Sequence, residues 1–210
     1  DLEAGILLIM EFGYPDCDPE VCRRALDSLA HRLEKKLDLN ADPSQVVSTL
    51  THLLFQQENF RGNKKNYLDP NNSYINKVLQ NKTGIPITLS ILCVLVASRL
   101  NLPIVGVGLP GHYIAKYNHP KNPVYFDPFH QGRLLTRANC IQIMEQFGHP
   151  FEEIYLSQST HQETLIRMMN NLIQVYQGSN ETKKADTLSD YIKILMNPSK
   201  GQFSENSREI

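Results

Sequence analysis

Apolar residues recur along the first third of the chain at three- and four-residue spacing, and that spacing predicts helices with one buried face each. Leu2 to Phe12 is an apolar-rich segment closed by Gly13 and Pro15. Asp18-Pro19-Glu20 opens a second helix with a cap and a first-turn proline, and Leu26, Leu29, Leu33 and Leu37 then mark its buried side. Asp42-Pro43 opens a third, whose buried side carries Val46, Val47, Leu50, Leu53 and Leu54. Core packing is the role these stripes predict.

The pattern then changes twice. Gly62 to Ser73 is polar and turn-rich, densest at Asp69-Pro70-Asn71-Asn72-Ser73, and so long a connection marks its residues as candidate site formers. Ser73 or Asn72 is expected to cap a short helix, Tyr74 to Gln80. After Thr83-Gly84-Ile85-Pro86, nearly every residue from Ile87 to Leu100 is apolar or small. A helix apolar all round must be buried on all sides, so this segment, entered through a capping Thr83 and a first-turn Pro86, is predicted to be the central core helix.

Three short β-type runs follow, Pro103 to Leu109, His112 to Tyr117 and Pro123 to Phe126, divided by Pro110-Gly111 and by Asn118 to Asn122. Links this short permit only antiparallel neighbours. Thr136 to Phe147 reads as a helix covering that sheet, and Gln162 to Met196 as two amphipathic helices broken near Gly178-Ser179-Asn180. In the tail, Leu165, Met169, Leu172, Tyr176, Ala185 and Leu188 sit where one tetratricopeptide unit places its packing residues, with Pro198 near the end. One such unit cannot bury its own faces, so it is expected to dock on the core or on a partner. The predicted fold class is α+β, with residues 1–158 as the main domain and 159–210 as a helical hairpin and tail.

Composition narrows the function classes. Lys and Arg total 21 against 22 Asp and Glu, a formal net charge of -1, so no general basic field draws in nucleic acid. Cys17, Cys22, Cys93 and Cys140 form no CxxC pair and lack the spacing of a zinc site, which fits reduced thiols in a cytoplasmic protein, with neither metal nor cofactor expected. No segment approaches the roughly 20 apolar residues of a membrane helix. The start, Asp1-Leu2-Glu3, is acidic where a signal peptide is basic, and its abruptness reads as the start of a fragment.

Chemistry is visible at two positions. A thiol acyltransferase or hydrolase needs a cysteine at a helix head, a histidine as base and an acidic group that orients the histidine. His112 follows the Pro110-Gly111 turn and Asp127 closes the next strand, so antiparallel pairing can bring them together. The nucleophile is missing: the head of the central helix reads Gly84-Ile85-Pro86. Cys93 lies seven residues past Pro86, about 10 Å further along the helix, which places it in the apolar core as an inert thiol. His119, His130, His149 and His161 read as surface or locally bonded residues without a comparable partner.

Phe60-Arg61-Gly62-Asn63, Asn66-Tyr67-Leu68-Asp69-Pro70, Asn72-Ser73-Tyr74, Gly84 to Ser90, Gly106 to His112 and Phe126-Asp127-Pro128-Phe129 together resemble the SirB-one-like, transglutaminase-like proteins of bacteria, a branch of the papain and transglutaminase superfamily. The resemblance covers about residues 1 to 200. It implies a central helix packed on an antiparallel sheet, His112 and Asp127 at the superfamily's His and Asp positions, and Pro86 where active members carry Cys. The expected function is therefore a non-catalytic binding or regulatory module, a pseudoenzyme whose relic cleft holds a peptide, a protein segment or a small ligand. Asn72, Ser73, Thr83, Gly84, His112 and Asp127 are the candidate ligand contacts. The alternative is a hydrolase or transferase with His112 as general base oriented by Asp127, and a third reading makes Asn72, His112 and Asp127 a purely structural hydrogen-bond network.

Overall fold

The computed structural model describes residues 1–38 and 40–197; Pro198 and the rest of the expected tail lie outside them. Helix α1 spans Leu2–Gly13, α2 Pro19–Glu34 and α3 Pro43–Thr51, the last running on into a wider turn at His52–Gln57. Their starts follow from local chemistry. The Asp18 carboxylate accepts from the Glu20 N–H at 2.9 Å, and Asp42 with Gln45 closes a reciprocal capping box, each ahead of a proline that gives up no needed donor. Every predicted apolar stripe residue of α3 and its continuation is buried, as are Leu26, Leu29 and Leu33 of α2. Leu37 falls past the end of α2 and is only partly buried.

Helix α5, Pro86–Ser98, is the predicted central helix. Its residues Pro86 to Cys93 and Leu95 to Ala97 are all buried, which is why its sequence has no polar face. Its cap differs from the expectation. Thr83 lies in a two-residue strand, β2 (Thr83–Gly84), which pairs in parallel with β1 (Arg61–Gly62). Thr88 supplies the capping hydroxyl instead, accepting from the Ile85 N–H at 3.1 Å and donating to the Asn72 carbonyl at 2.7 Å. A side chain on Gly84 would collide with that hydroxyl, so the glycine secures the close approach.

Helix α4 runs from Ile75 to Asn81, and neither Asn72 nor Ser73 caps it. Asp69 caps the preceding single turn Pro70–Ser73 by accepting from the Asn71 N–H at 2.9 Å. The Asn72 amide is used elsewhere: it donates to the carbonyls of Asn66 and Tyr67 and accepts from Asn63. The long polar passage is thus an ordered loop pinned from within by one buried asparagine.

The sheet is an antiparallel meander of four strands: β3 (Ile104–Val107), β4 (Ile114–Tyr117), β5 (Val124–Asp127) and β6 (Arg133–Leu135). The fourth strand is an addition to the three read from sequence; only three residues long, it shows no alternation to find. Side chains alternate between two cores, since Ile104, Tyr113, Ala115 and Phe126 face α5 while Val107, Ile114 and Leu135 face a smaller cluster with Cys140 and Met144 of helix α6, Arg137–Gln146. The predicted covering helix is therefore present. Helices α7 (His161–Gly178) and α8 (Thr182–Met196) bury Leu165, Met168, Met169, Leu172, Tyr176, Ala185 and Leu188 in the main core, alongside α1 and α5. The architecture is α+β, and no helix among the described residues is long and apolar enough to cross a membrane.

Candidate functional site

The link between β3 and β4 folds back on itself, with the His112 N–H donating to the Leu109 carbonyl at 3.1 Å. Gly111 has φ of +76° and the Phe147 ring stands where its side chain would be, so this turn requires glycine twice over. From α7, the Arg167 guanidinium donates to the carbonyls of Leu109 and His112 at 2.8 and 2.7 Å. The turn that carries His112 is thereby clamped by α7 (His161–Gly178). Sequence reasoning placed His112 at the first position of a strand, whereas β4 begins two residues later and His112 belongs to the turn.

On the neighbouring strand, Asp127 is 2 % exposed and its two oxygens have separate duties. Oδ1 accepts from the backbone N–H groups of Phe129 and His130 at 3.0 and 3.3 Å, an N-cap for the single turn Pro128–His130. Oδ2 lies 2.8 Å from His112 Nε2, so the expected pair is within direct hydrogen-bonding distance. The same Oδ2 lies 2.8 Å from His130 Nδ1, which corrects the reading of His130 as a residue without such a partner. The signal was present in Asp127-Pro128-Phe129-His130: an acidic cap followed by a first-turn proline returns the third residue's side chain toward the cap.

Electrostatics follow from this geometry. Burial alone would push the Asp127 carboxyl up, but hydrogen bonds and attraction from His112, then from His130, outweigh it and hold the pKa below the ordinary carboxylate value. Among the described residues His112 Nδ1 has no protein partner, so the ring is oriented from one side and open on the other.

His112, Asp127 and His130 line a cleft of about 580 Å³. Pro86 at the head of α5, Tyr67, Phe129 and Phe147 supply its apolar walls, and Arg133, Asn139 and Gln142 its polar rim. Of the expected contacts, His112 and Asp127 are in the cleft together with Pro86. Asn72, Ser73, Thr83 and Gly84 are not among the residues that line it; Asn72 acts one layer behind, holding the loop that presents Tyr67.

No cysteine lines the cleft. Cys93 is fully buried in α5, and burial pushes its thiol far above the ordinary range. Cys22 and Cys140 are likewise buried, each pushed up to about 11. Sequence reasoning missed Arg167 and His130, and also the cleft-wall residues Tyr67, Phe129 and Phe147. Arg167 carried no local signal, because its partners are carbonyls 55 and more residues away in sequence.

A UPF0162 protein of Xylella fastidiosa is 29% identical over 201 residues, covering 93% of this chain and 72% of that protein. A UPF0162 protein of Pseudomonas aeruginosa is 29% identical over 196 residues, covering 92% and 70%. Human F-box only protein 21 is 27% identical over 161 residues, which are 73% of this chain but 25% of that protein. No solved structure matches. The Transglut_core2 model, described as transglutaminase-like superfamily, matches residues 20–170, from α2 into α7 and across the whole cleft. With most of its length matched in this way, the chain belongs to the transglutaminase-like superfamily.

Proposed function

We propose that this chain is a binding or regulatory module on a transglutaminase-like scaffold, a pseudoenzyme of the SirB-one-like type that holds a peptide or protein segment in its cleft. One observation carries the reading: the cleft presents an oriented histidine and its carboxylate opposite a proline, with no nucleophilic thiol on its walls. Without that thiol the acyl-thioester intermediate of a cysteine acyltransferase cannot form in this cleft. Apolar walls with a few polar groups at the rim suit ligand capture. That F-box only protein 21 carries a similar stretch as a quarter of its length is consistent with a module used inside larger proteins. Residues 1–158 form the module in this reading, the hairpin from 159 onward is a tetratricopeptide-like unit docked on it, and the setting is cytoplasmic.

The test is a peptide-display selection against the purified chain, followed by calorimetry on the selected sequences. Phe147→Asp, at an exposed cleft wall, is expected to weaken binding by tenfold or more, about 1.4 kcal/mol, with the fold intact by circular dichroism. His112→Gln should change affinity little. Turnover of an amide or thioester peptide that His112→Gln abolishes would replace this reading with the second one, in which His112 acts as general base toward water or a hydroxyl. That alternative is favoured by the free Nδ1 of an imidazole already oriented by Asp127.

A further inference from the structure

We infer that His112, Asp127 and His130 form a binding site for a divalent transition-metal ion on the wall of the cleft. The inference shares with the proposed function only the requirement that the cleft be open. Each of the three residues offers one ligand atom, and these atoms all lie within 4.8 Å of one another. Both imidazole nitrogens are 2.8 Å from the same carboxylate oxygen. Two donor atoms 2.8 Å apart, each about 2.1 Å from a common ion, subtend about 84° there, near the right angle between adjacent octahedral positions. Two imidazoles and one carboxylate are a donor set that first-row metals such as Co(II), Ni(II) and Zn(II) accept.

The surroundings favour the same use. Asp127 Oδ1 is occupied by two backbone N–H groups, so the carboxylate cannot rotate freely and Oδ2 stays aimed at the histidines, the outer-sphere support that metal ligands ordinarily have. His112 is fixed by its glycine turn and by Arg167, while His130 is the more exposed of the two rings and can adjust by the few tenths of an ångström that closure round an ion demands. One carboxylate and two neutral imidazoles carry a single negative charge, which a divalent cation more than compensates. All three residues line the cleft, so the remaining coordination positions face space that water or a bound ligand's donor can enter. With the ion in place, the N–H groups now directed at Asp127 would give way to nitrogen lone pairs, and the proton of His112 would move to Nδ1.

The test is titration of the chelator-treated chain with Co(II) alone, followed by visible absorption, with Zn(II) added afterwards as competitor. One equivalent should bind with a saturable spectrum that Zn(II) removes. His130→Ala alters a half-exposed ring, and circular dichroism will verify its fold; it should weaken binding by about tenfold or more. His112→Gln should do at least as much. A wild-type chain with no saturable spectrum would overturn the inference, and so would a spectrum that His130→Ala and His112→Gln leave unchanged, since the ion would then sit on the cysteines or another surface. Peptide binding without metal uptake would remove this inference and leave the proposed function standing, whereas metal uptake without peptide binding would do the reverse.

Discussion

The two sides of the cleft are built by different rules. The sheet side uses Asp127 at the end of β5, His130 beside it and an arginine from a distant helix to hold the His112 imidazole and its turn in place. The helix side ends in Pro86, whose side chain can neither donate, accept nor attack. A proline suits the first turn of a helix because its missing N–H is not needed there, whereas a thiol at such a helix start would be activated as a nucleophile. The helix side thus satisfies folding alone. The sheet side carries a hydrogen-bonded arrangement that a helix start does not need, and the proposed binding role rests on that contrast.

The largest test of that contrast is Asp127→Ala. It strips four hydrogen-bond donors of their acceptor in a buried place and should cost about 3–5 kcal/mol, read from chemical denaturation. The pH dependence has a definite sign. Because the folded-state pKa of Asp127 is depressed, its contribution is fully present above the unfolded value of about 3.9 and is lost as pH falls through the lower folded value. Stability should therefore fall below about pH 4 in the native chain, and Asp127→Asn should flatten that part of the curve. An unchanged acid limb would mean that the sheet side is not held by this carboxylate.

His112→Ala comes next, at about 1–3 kcal/mol, since Asp127 keeps His130 as a partner but loses its buried one. A melting temperature equal to wild type would remove the structural-network reading altogether. The smallest effect on stability belongs to Pro86→Cys, about 1 kcal/mol or less because a first-turn position tolerates replacement. Its chemical effect should be clear. The new thiol faces the free donors of a helix start and shares a cleft with His112, so its pKa should fall below the roughly 8.5 of an ordinary thiol. Alkylation rates against pH measure this, with the deeply buried Cys93 as the unreactive internal control. A cysteine at 86 that titrates as a free thiol, indifferent to His112→Ala, would break the comparison at its helix side.

Much of this architecture was legible one residue at a time. The all-apolar run from Ile87 to Leu100, entered through a first-turn proline, read as a helix buried on every side, and Asp18-Pro19 and Asp42-Pro43 read as helix starts. His112 and Asp127 were readable as a pair because a tight turn and a strand end have fixed geometries. Capping was misread where several polar residues competed: Thr83 and Asn72 both have the right chemistry, yet Thr88 holds the start of α5 and Asn72 holds a loop. Propensity names the residues that can cap, and packing chooses among them.

The amino-acid sequence by itself determined the order of the helices and of the three longer strands, the buried helix, the proline at its head and the tight turn before His112, because each depends on backbone chemistry or periodicity within a few residues. Only the tertiary structure decided that Arg167 clamps that turn, that His130 shares the Asp127 carboxylate oxygen with His112, and that Pro86, Phe147 and the two histidines enclose one cleft. These contacts join segments far apart in the chain. Their cost in chain entropy is met by the burial of the whole core, so no local pattern records them.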